Sequence, residues 1–371
     1  KVQCKFDANG LVRVKAHHLE GGEHSCAYNK FTKDCSCYCK PKKTDYNTRE
    51  VGKYQFATGG FVGKHCEAVK FSKDFDAAKG GVRTVVTVSH TMRTKPVHDA
   101  PMLWVEESTM QGFTVCARED KKFWNTYDKH DHRLVVDYYS YQAGPRNTHE
   151  NAALIKGPVA PFAGARGGAI AIPSRSAGGV HCKTIPFGTT FDKAPIVVGS
   201  IDHQNFHDSH QATSHWIEDI NGEQFRVCFR ESAHNDDGHD EFFFNWMAVQ
   251  HQNPSTWYGN HGAYSAAGSA SSNGLWAKPE GVWRADPAKV GLLACKWIDF
   301  QGVTFSATPT VLLDARHAST GAVDWSATPI HPSTLTYVNK VTDLVFEACS
   351  TTMFVEGVSS KDEALEWNYI A

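Results

Sequence analysis

Three hexapeptides decide the fold: CEAVKF at Cys66–Phe71, CKTIPF at Cys182–Phe187 and CKWIDF at Cys295–Phe300. They share the pattern C-x-x-[VI]-x-F. Outward from each, a second aromatic follows within five residues, at Phe75, Phe191 and Phe305. An aliphatic run then ends in histidine: TVVTVSH at His90, VVGSIDH at His203 and VLLDARH at His317. A second cysteine arrives on an F-x-[VA]-C pattern, as FTVC to Cys116, FRVC to Cys228 and FEAC to Cys349. Each copy closes on a strand-like segment: VDYYSYQ from Val136, FNWMAVQ from Phe244 and WNYIA from Trp367. The same landmarks in the same order, three times over, are the signature of an internal repeat.

The local period is two. Val69 and Phe71 share a face, as do Ile185 with Phe187, Ile298 with Phe300, Phe113 with Val115 and Phe225 with Val227. Alternation of this kind in short β-branched and aromatic runs, bounded by Gly, Asn, Asp and Ser, predicts strands. The fold class expected is all-β: three tandem antiparallel β-sandwich domains of about 90 to 110 residues each.

Side-chain parity also predicts the disulfides. Cys66 lies three residues from Val69 and so points to the opposite face, while Cys116 follows Val115 and also points away from its apolar set. The other repeats behave alike. The expected bonds are Cys66–Cys116, Cys182–Cys228 and Cys295–Cys349, each worth roughly 4 kcal/mol in the chain-entropy model. Six buried free thiols are the alternative.

Composition sets the wider frame. The chain has 371 residues, 41% of them hydrophobic and 21% charged, which suits several ordinary globular cores. A net charge of −2 gives no electrostatic case for nucleic acid. No apolar run is long enough to span a bilayer, so no membrane insertion is expected. Eleven cysteines imply an oxidising compartment or bound metal, and the C-x-C-x-C run of Cys35, Cys37 and Cys39 is not a zinc-knuckle spacing. A chain starting at Lys1 without an apolar leader is what a secreted, extracellular protein leaves after signal removal. Cys4, Cys26, Cys35, Cys37 and Cys39 mark a Cys-rich N-terminal module; their odd count leaves one thiol free or bonded to another chain in a higher oligomer. The domains expected are 1–45, 46–145, 146–253 and 254–371. Gly144-Pro145 opens one boundary, and Gly259–Gly274 reads as a loop or irregular edge.

The landmark order resembles the H-type lectin domain, known from snail agglutinins and the second domain of discoidins. The residues that carry the likeness are Phe187 to Ile201, with KAPIVVGSID, then Phe225 to Cys228 and Trp246-Met247-Ala248 in the second repeat; GFTVC in the first; and TPTVLL and WNYIA in the third. The resemblance implies a six-stranded antiparallel sandwich that assembles as a trimer and binds galactose-type sugars, notably N-acetylgalactosamine, between neighbouring subunits. Three joined copies would then fold as an intramolecular pseudo-trimer. The family's sugar-binding arginine falls, by position, near Trp104, Trp216 and Tyr337, within WVEE, WIED and YVNK, and its Trp-His pair has no counterpart.

Those aromatics, with Glu106 and Glu218, are the candidate ligand-binding residues: a stacking platform for a sugar or a flat apolar ligand, or core aromatics of a sandwich strand. His90, His203 and His317 occupy one position in all repeats. Around a pseudo-threefold axis they would converge to hold a metal ion; ordinary strand-end histidines are the alternative. The loops DKHDH (Asp128–His132), DDGHDE (Asp236–Glu241) and KDE (Lys361–Glu363) read as solvated hairpins or as sites for Ca²⁺ or Zn²⁺. His203, His207, His210 and His215 crowd a further stretch, read as a loop or a metal site. No catalytic motif occurs. The function expected is a secreted multivalent lectin-like protein with glycans or glycoproteins as partners. The alternatives are a structural or carrier protein for a pigment or other hydrophobic ligand, and a metal-dependent secreted enzyme.

Overall fold

The structure is a computed structural model and describes residues 4–6, 12–14, 23–29, 34–40, 46–47, 49–57, 63–90, 101–118, 134–142, 153–154, 166–176, 178–203, 207, 210, 212–231, 239–249, 267–271, 293–300, 304–317, 334–352 and 365–371. It divides into two compact units, Lys1–Tyr46 and Asn47–Ala371. The first contains two hairpins, β1 (Cys4–Phe6) with β2 (Val12–Val14) and β3 (Glu23–Asn29) with β4 (Asp34–Lys40). The β3–β4 register sets Cys26 opposite Cys37.

The second unit contains the three repeats. The first supplies β5 (Arg49–Gln55), β6 (Lys64–Lys70), β7 (Val82–Ser89), β8 (Met102–Ser108), β9 (Gly112–Arg118) and β10 (Val135–Gln142). The second supplies β11 (Ala153–Leu154), β12 (Arg166–Ile172), β13 (His181–Pro186), β14 (Ile196–Asp202), β15 (Thr213–Ile220), β16 (Gln224–Glu231) and β17 (Phe242–Val249). The third supplies β18 (Ala267–Ser271), β19 (Leu293–Asp299), β20 (Leu312–His317), β21 (Thr334–Val341), β22 (Val345–Thr352) and β23 (Leu365–Ile370). The chain is all-β in three similar sandwich-like parts, as the period-two pattern predicts.

Each repeat is a sandwich closed by one aromatic cluster. In the first, Phe71 meets Phe75 edge-on at 4.9 Å and Phe113 at 5.8 Å, and Phe113 meets Tyr138 at 5.1 Å. Phe187, Phe191, Phe225 and Trp246 repeat the arrangement at 5.0, 5.4 and 5.5 Å, and Phe300, Phe305, Phe346 and Tyr369 at 4.9, 5.3 and 5.0 Å. The phenylalanines of the repeated hexapeptide are therefore the centre of each core. Burial of aromatic faces of this size, with edge-to-face geometry, is a dominant contribution to such a sandwich. All three expected disulfides are present, spanning 50, 46 and 54 residues. In every case the two cysteines stand directly opposite on antiparallel neighbours: Cys66 with Cys116, Cys182 with Cys228 and Cys295 with Cys349.

The sheets do not respect the repeats. Within a repeat the strands pair antiparallel; between repeats they join by short parallel contacts, which makes the sheets mixed. The β6-β9-β8 half of the first repeat continues through β8–β14 into β14-β17-β12 of the second. The β13-β16-β15 half of the second continues through β15–β20 into β20-β23-β18 of the third. The β19-β22-β21 half of the third continues through β21–β7 into β7-β10-β5 of the first. First to second, second to third and third to first is a closed cycle, so one chain forms a pseudo-trimer.

Side-chain hydrogen bonds follow the same cycle. Thr87, Ser200 and Asp314 are equivalent positions. Thr87 Oγ1 accepts from Leu313 N (3.0 Å), Ser200 Oγ from Val86 N (3.3 Å) and Asp314 Oδ2 from Gly199 N (2.9 Å). A second equivalent set sits on the paired strands: Asp137 accepts from Val311 N (2.7 Å), while Asn245 and Asn368 donate to Thr84 O and Val197 O, both at 3.1 Å. All six side chains are buried. A buried polar side chain is stable only with its partner in place, so each of these fixes one repeat against the next. Beside them Val85, Val198 and Leu312, with Met247 and Ile370, form an apolar cluster to which every repeat contributes.

The three repeats pack together as one compact unit, Asn47–Ala371. Part of the stretch read as a loop or irregular edge, Ala267–Ser271, is the edge strand β18; its small residues have little strand preference of their own, and β23 supplies its register. The boundaries at Gly144-Pro145 and residue 253, and the DKHDH and KDE loops, lie outside the described residues.

Candidate functional site

Each parallel joint brings the strand-end histidine of one repeat to an aromatic-x-acid or aromatic-x-amide segment of its neighbour. His203 N donates to Val105 O at 2.7 Å, between Trp104 and Glu106. His90 N donates to Val338 O at 2.9 Å, between Tyr337 and Asn339. His317 pairs with Glu218, two residues after Trp216. A β-bulge interrupts the aromatic strand near the joint in all three, the extra residue being Glu106 or Asn339, two places after the aromatic, or Asp219, three places after it. Bulges of this kind re-aim side chains, and here they fall beside the joint.

The first joint is the richest. Glu106 is fully buried and receives Trp104 Nε1 at 2.8 Å, Lys64 Nζ at 2.9 Å and His210 Nδ1. Burial raises its carboxyl pKa, but the hydrogen bonds from His210, Lys64 and Trp104 outweigh that, and the net shift is downward. The ionised form is therefore the resident one. Lys64 also donates to His207 O at 2.9 Å and lies 5.7 Å over the Trp104 ring. The His203 ring stacks on His210 at 4.1 Å, and His207 is 5.6 Å from His210. Burial, and then the charge on His210, push the His203 imidazole down to about 3, so it is neutral.

The other two joints carry different chemistry. At the second, Trp216 Nε1 donates to Glu218 at 3.1 Å and Arg226 lies 3.6 Å from the same carboxylate. Glu218 also approaches the sulfurs of Cys182 and Cys228, but those are bonded to each other and offer no thiolate to a metal. At the third, an amide replaces the acid: Asn339 donates to Glu347 at 2.6 Å, and the His90 ring meets Tyr337 edge-on at 5.5 Å.

Trp104, Trp216 and Tyr337 have no exposed surface, so they are core residues and present no open face for stacking. They stand opposite Cys116, Cys228 and Cys349, one behind each disulfide. His90, His203 and His317 each stand at the end of a strand in a different sheet, and the backbone of each meets a different neighbouring repeat. Of the four crowded histidines, His203, His207 and His210 gather at the first joint, while His215 binds Asp314 at 3.2 Å elsewhere. Lys64 escaped the sequence reading; the residue two places before the repeat cysteine differs in each copy, and nothing local marks it as reaching another repeat.

Compared with family models, with curated proteins and with solved structures, the chain matches none.

Proposed function

We propose that the protein is a secreted, multivalent carbohydrate-binding protein whose sites lie at the three joints. The supporting observation is the closed cycle of repeats. The resemblance implies sugar sites between neighbouring subunits, and a single chain with this connectivity has three such positions. Sugar hydroxyls need charged or polar partners held in place, and Lys64, His207 and His210 around the ionised Glu106 form the best-supplied set. Weak sites on one rigid body gain avidity for clustered glycans without new contacts. The divergent second and third joints make this reading one of unequal sites rather than three copies of one.

Titration of the intact protein with N-acetylgalactosamine, followed by calorimetry and by a glycan array, tests it. Saturable binding is expected, weakened about tenfold by Lys64→Ala, as loss of roughly one charge-assisted hydrogen bond implies. Absence of binding to any glycan would contradict it. A co-purifying organic ligand would then favour the carrier reading, for which there is one specific observation: a recess lined by Val88, Met102, Leu103 and Leu335, with His215 and Asp314 as its polar side.

A further inference from the structure

Away from the joints, the second repeat holds a pair of histidines that the carbohydrate reading does not use. His181 opens β13, immediately before the disulfide residue Cys182. His239 lies in an isolated bridge with Arg175, where each backbone N–H donates to the other's carbonyl at 2.8 Å. The two rings are stacked, with centroids 4.5 Å apart and planes 24° apart, yet their Nε2 atoms are only 3.1 Å apart. The rings therefore lean together at their Nε2 ends and splay behind.

The tautomer of His239 follows from its other nitrogen. Nδ1 is 2.8 Å from the Asp240 carbonyl, and a carbonyl only accepts, so Nδ1 carries the proton and Nε2 presents a lone pair. A ring nitrogen fixed this way by a backbone carbonyl is the usual outer-sphere support of a metal-ligating histidine. Phe229 packs on His181 at 5.4 Å and Phe242 on His239 at 4.9 Å, so both rings are held before any ligand arrives. Two imidazole nitrogens at about 2.0–2.1 Å from one tetrahedral ion lie roughly 3.3 Å apart, close to the spacing found.

We propose that His181 and His239 form a site for a borderline divalent cation such as Zn²⁺, bound through both Nε2 atoms, with water completing the coordination. Imidazole is the preferred protein ligand for Zn²⁺, Ni²⁺ and Cu²⁺. With His239 Nε2 unprotonated, the 3.1 Å contact places a proton on His181 Nε2, and that proton moves to Nδ1 when the ion takes its place between the rings. The charged groups that face the pair are Arg175, which opposes a cation, and Asp240, which favours one.

The test is calorimetric titration of the intact, disulfide-bonded chain with ZnCl₂, beside His239→Gln and the control His215→Gln. The expected result is one class of site present in the native protein and in His215→Gln and lost, by at least tenfold in affinity, from His239→Gln. Equal uptake by all three proteins, or none by the native one, overturns the proposal and leaves a hydrogen-bonded histidine pair. Because His239→Gln can fail to fold, the native protein is also loaded with one equivalent of Cu²⁺ and examined by electron paramagnetic resonance. Splitting from two equivalent imidazole nitrogens is expected, and splitting from one or none contradicts the site.

Discussion

A chain that stops after the second repeat, at residue 252, is expected to collapse or aggregate rather than fold as a shorter version of the protein. Ordinary tandem domains survive such a cut because each owns its core. Here the cut removes β20 from the edge of β15 and β21 from the edge of β7, leaving two unpaired parallel edges. Exposed edges of that kind template association. It also removes the inter-repeat partners of Thr87, Gly199 and Val197, all buried, and one of the partners of Asp137, which keeps Lys53. Buried polar groups left unpaired cost about 1–3 kcal/mol each. Leu312 and Ile370 leave the shared apolar cluster at the same time. Together these losses approach the whole stability of an ordinary domain, about 5–15 kcal/mol. Size exclusion and urea unfolding of the truncated chain read the outcome. A monomer that unfolds cooperatively with a native-like midpoint would contradict the interlocked arrangement.

Replacing the six cysteines of Cys66–Cys116, Cys182–Cys228 and Cys295–Cys349 with serine is expected to be equally damaging. The bonds close loops of similar length, 50, 46 and 54 residues, so the chain-entropy model gives each about 4 kcal/mol. Their sum, about 12 kcal/mol, falls in the range of total domain stability. Cys116, Cys228 and Cys349 are fully buried against Trp104, Trp216 and Tyr337, so the serine hydroxyls would also enter apolar surroundings. Removing one pair should lower stability by a similar amount in every repeat. Thermal unfolding of the single-pair and triple-pair variants measures this, and a loss under about 1 kcal/mol for the full set would show that the bonds do not constrain the unfolded chain.

Much of this architecture is legible in the sequence. Alternation around Val69–Phe71, Ile185–Phe187 and Ile298–Phe300 identified the strands, and the parity of the flanking cysteines identified the bonds, because both depend on neighbours along the chain. The closed cycle was open only to analogy. Its parallel joints rest on a few register pairs, such as Asp202 with Val105 and Tyr337 with Val88. Its polar stitches, Thr87, Ser200 and Asp314, lie inside runs that read simply as aliphatic. The candidate site was half legible for the same reason. Trp104 and Glu106 drew notice because the position recurs, yet recurrence does not separate a core tryptophan from a binding platform, and burial does. Lys64 and His210 reach Glu106 from 42 and 104 residues away. His181 and His239 are 58 residues apart, and no local spacing announces that they meet.

The closed cycle is tested most directly where the third repeat returns to the first. Val338 of β21 pairs with Ser89 of β7, residues separated by most of the chain. In a protein carrying Ser89→Cys and Val338→Cys, mild oxidation is predicted to join the two introduced thiols in one intramolecular bond. Proteolysis of a species of monomer mass would then release the two substituted peptides linked to each other; adjacent strands bring Cα atoms within disulfide reach. Recovery of that linked pair only from dimers, or failure to form it while the native disulfides stay intact, would contradict a ring of repeats within one chain.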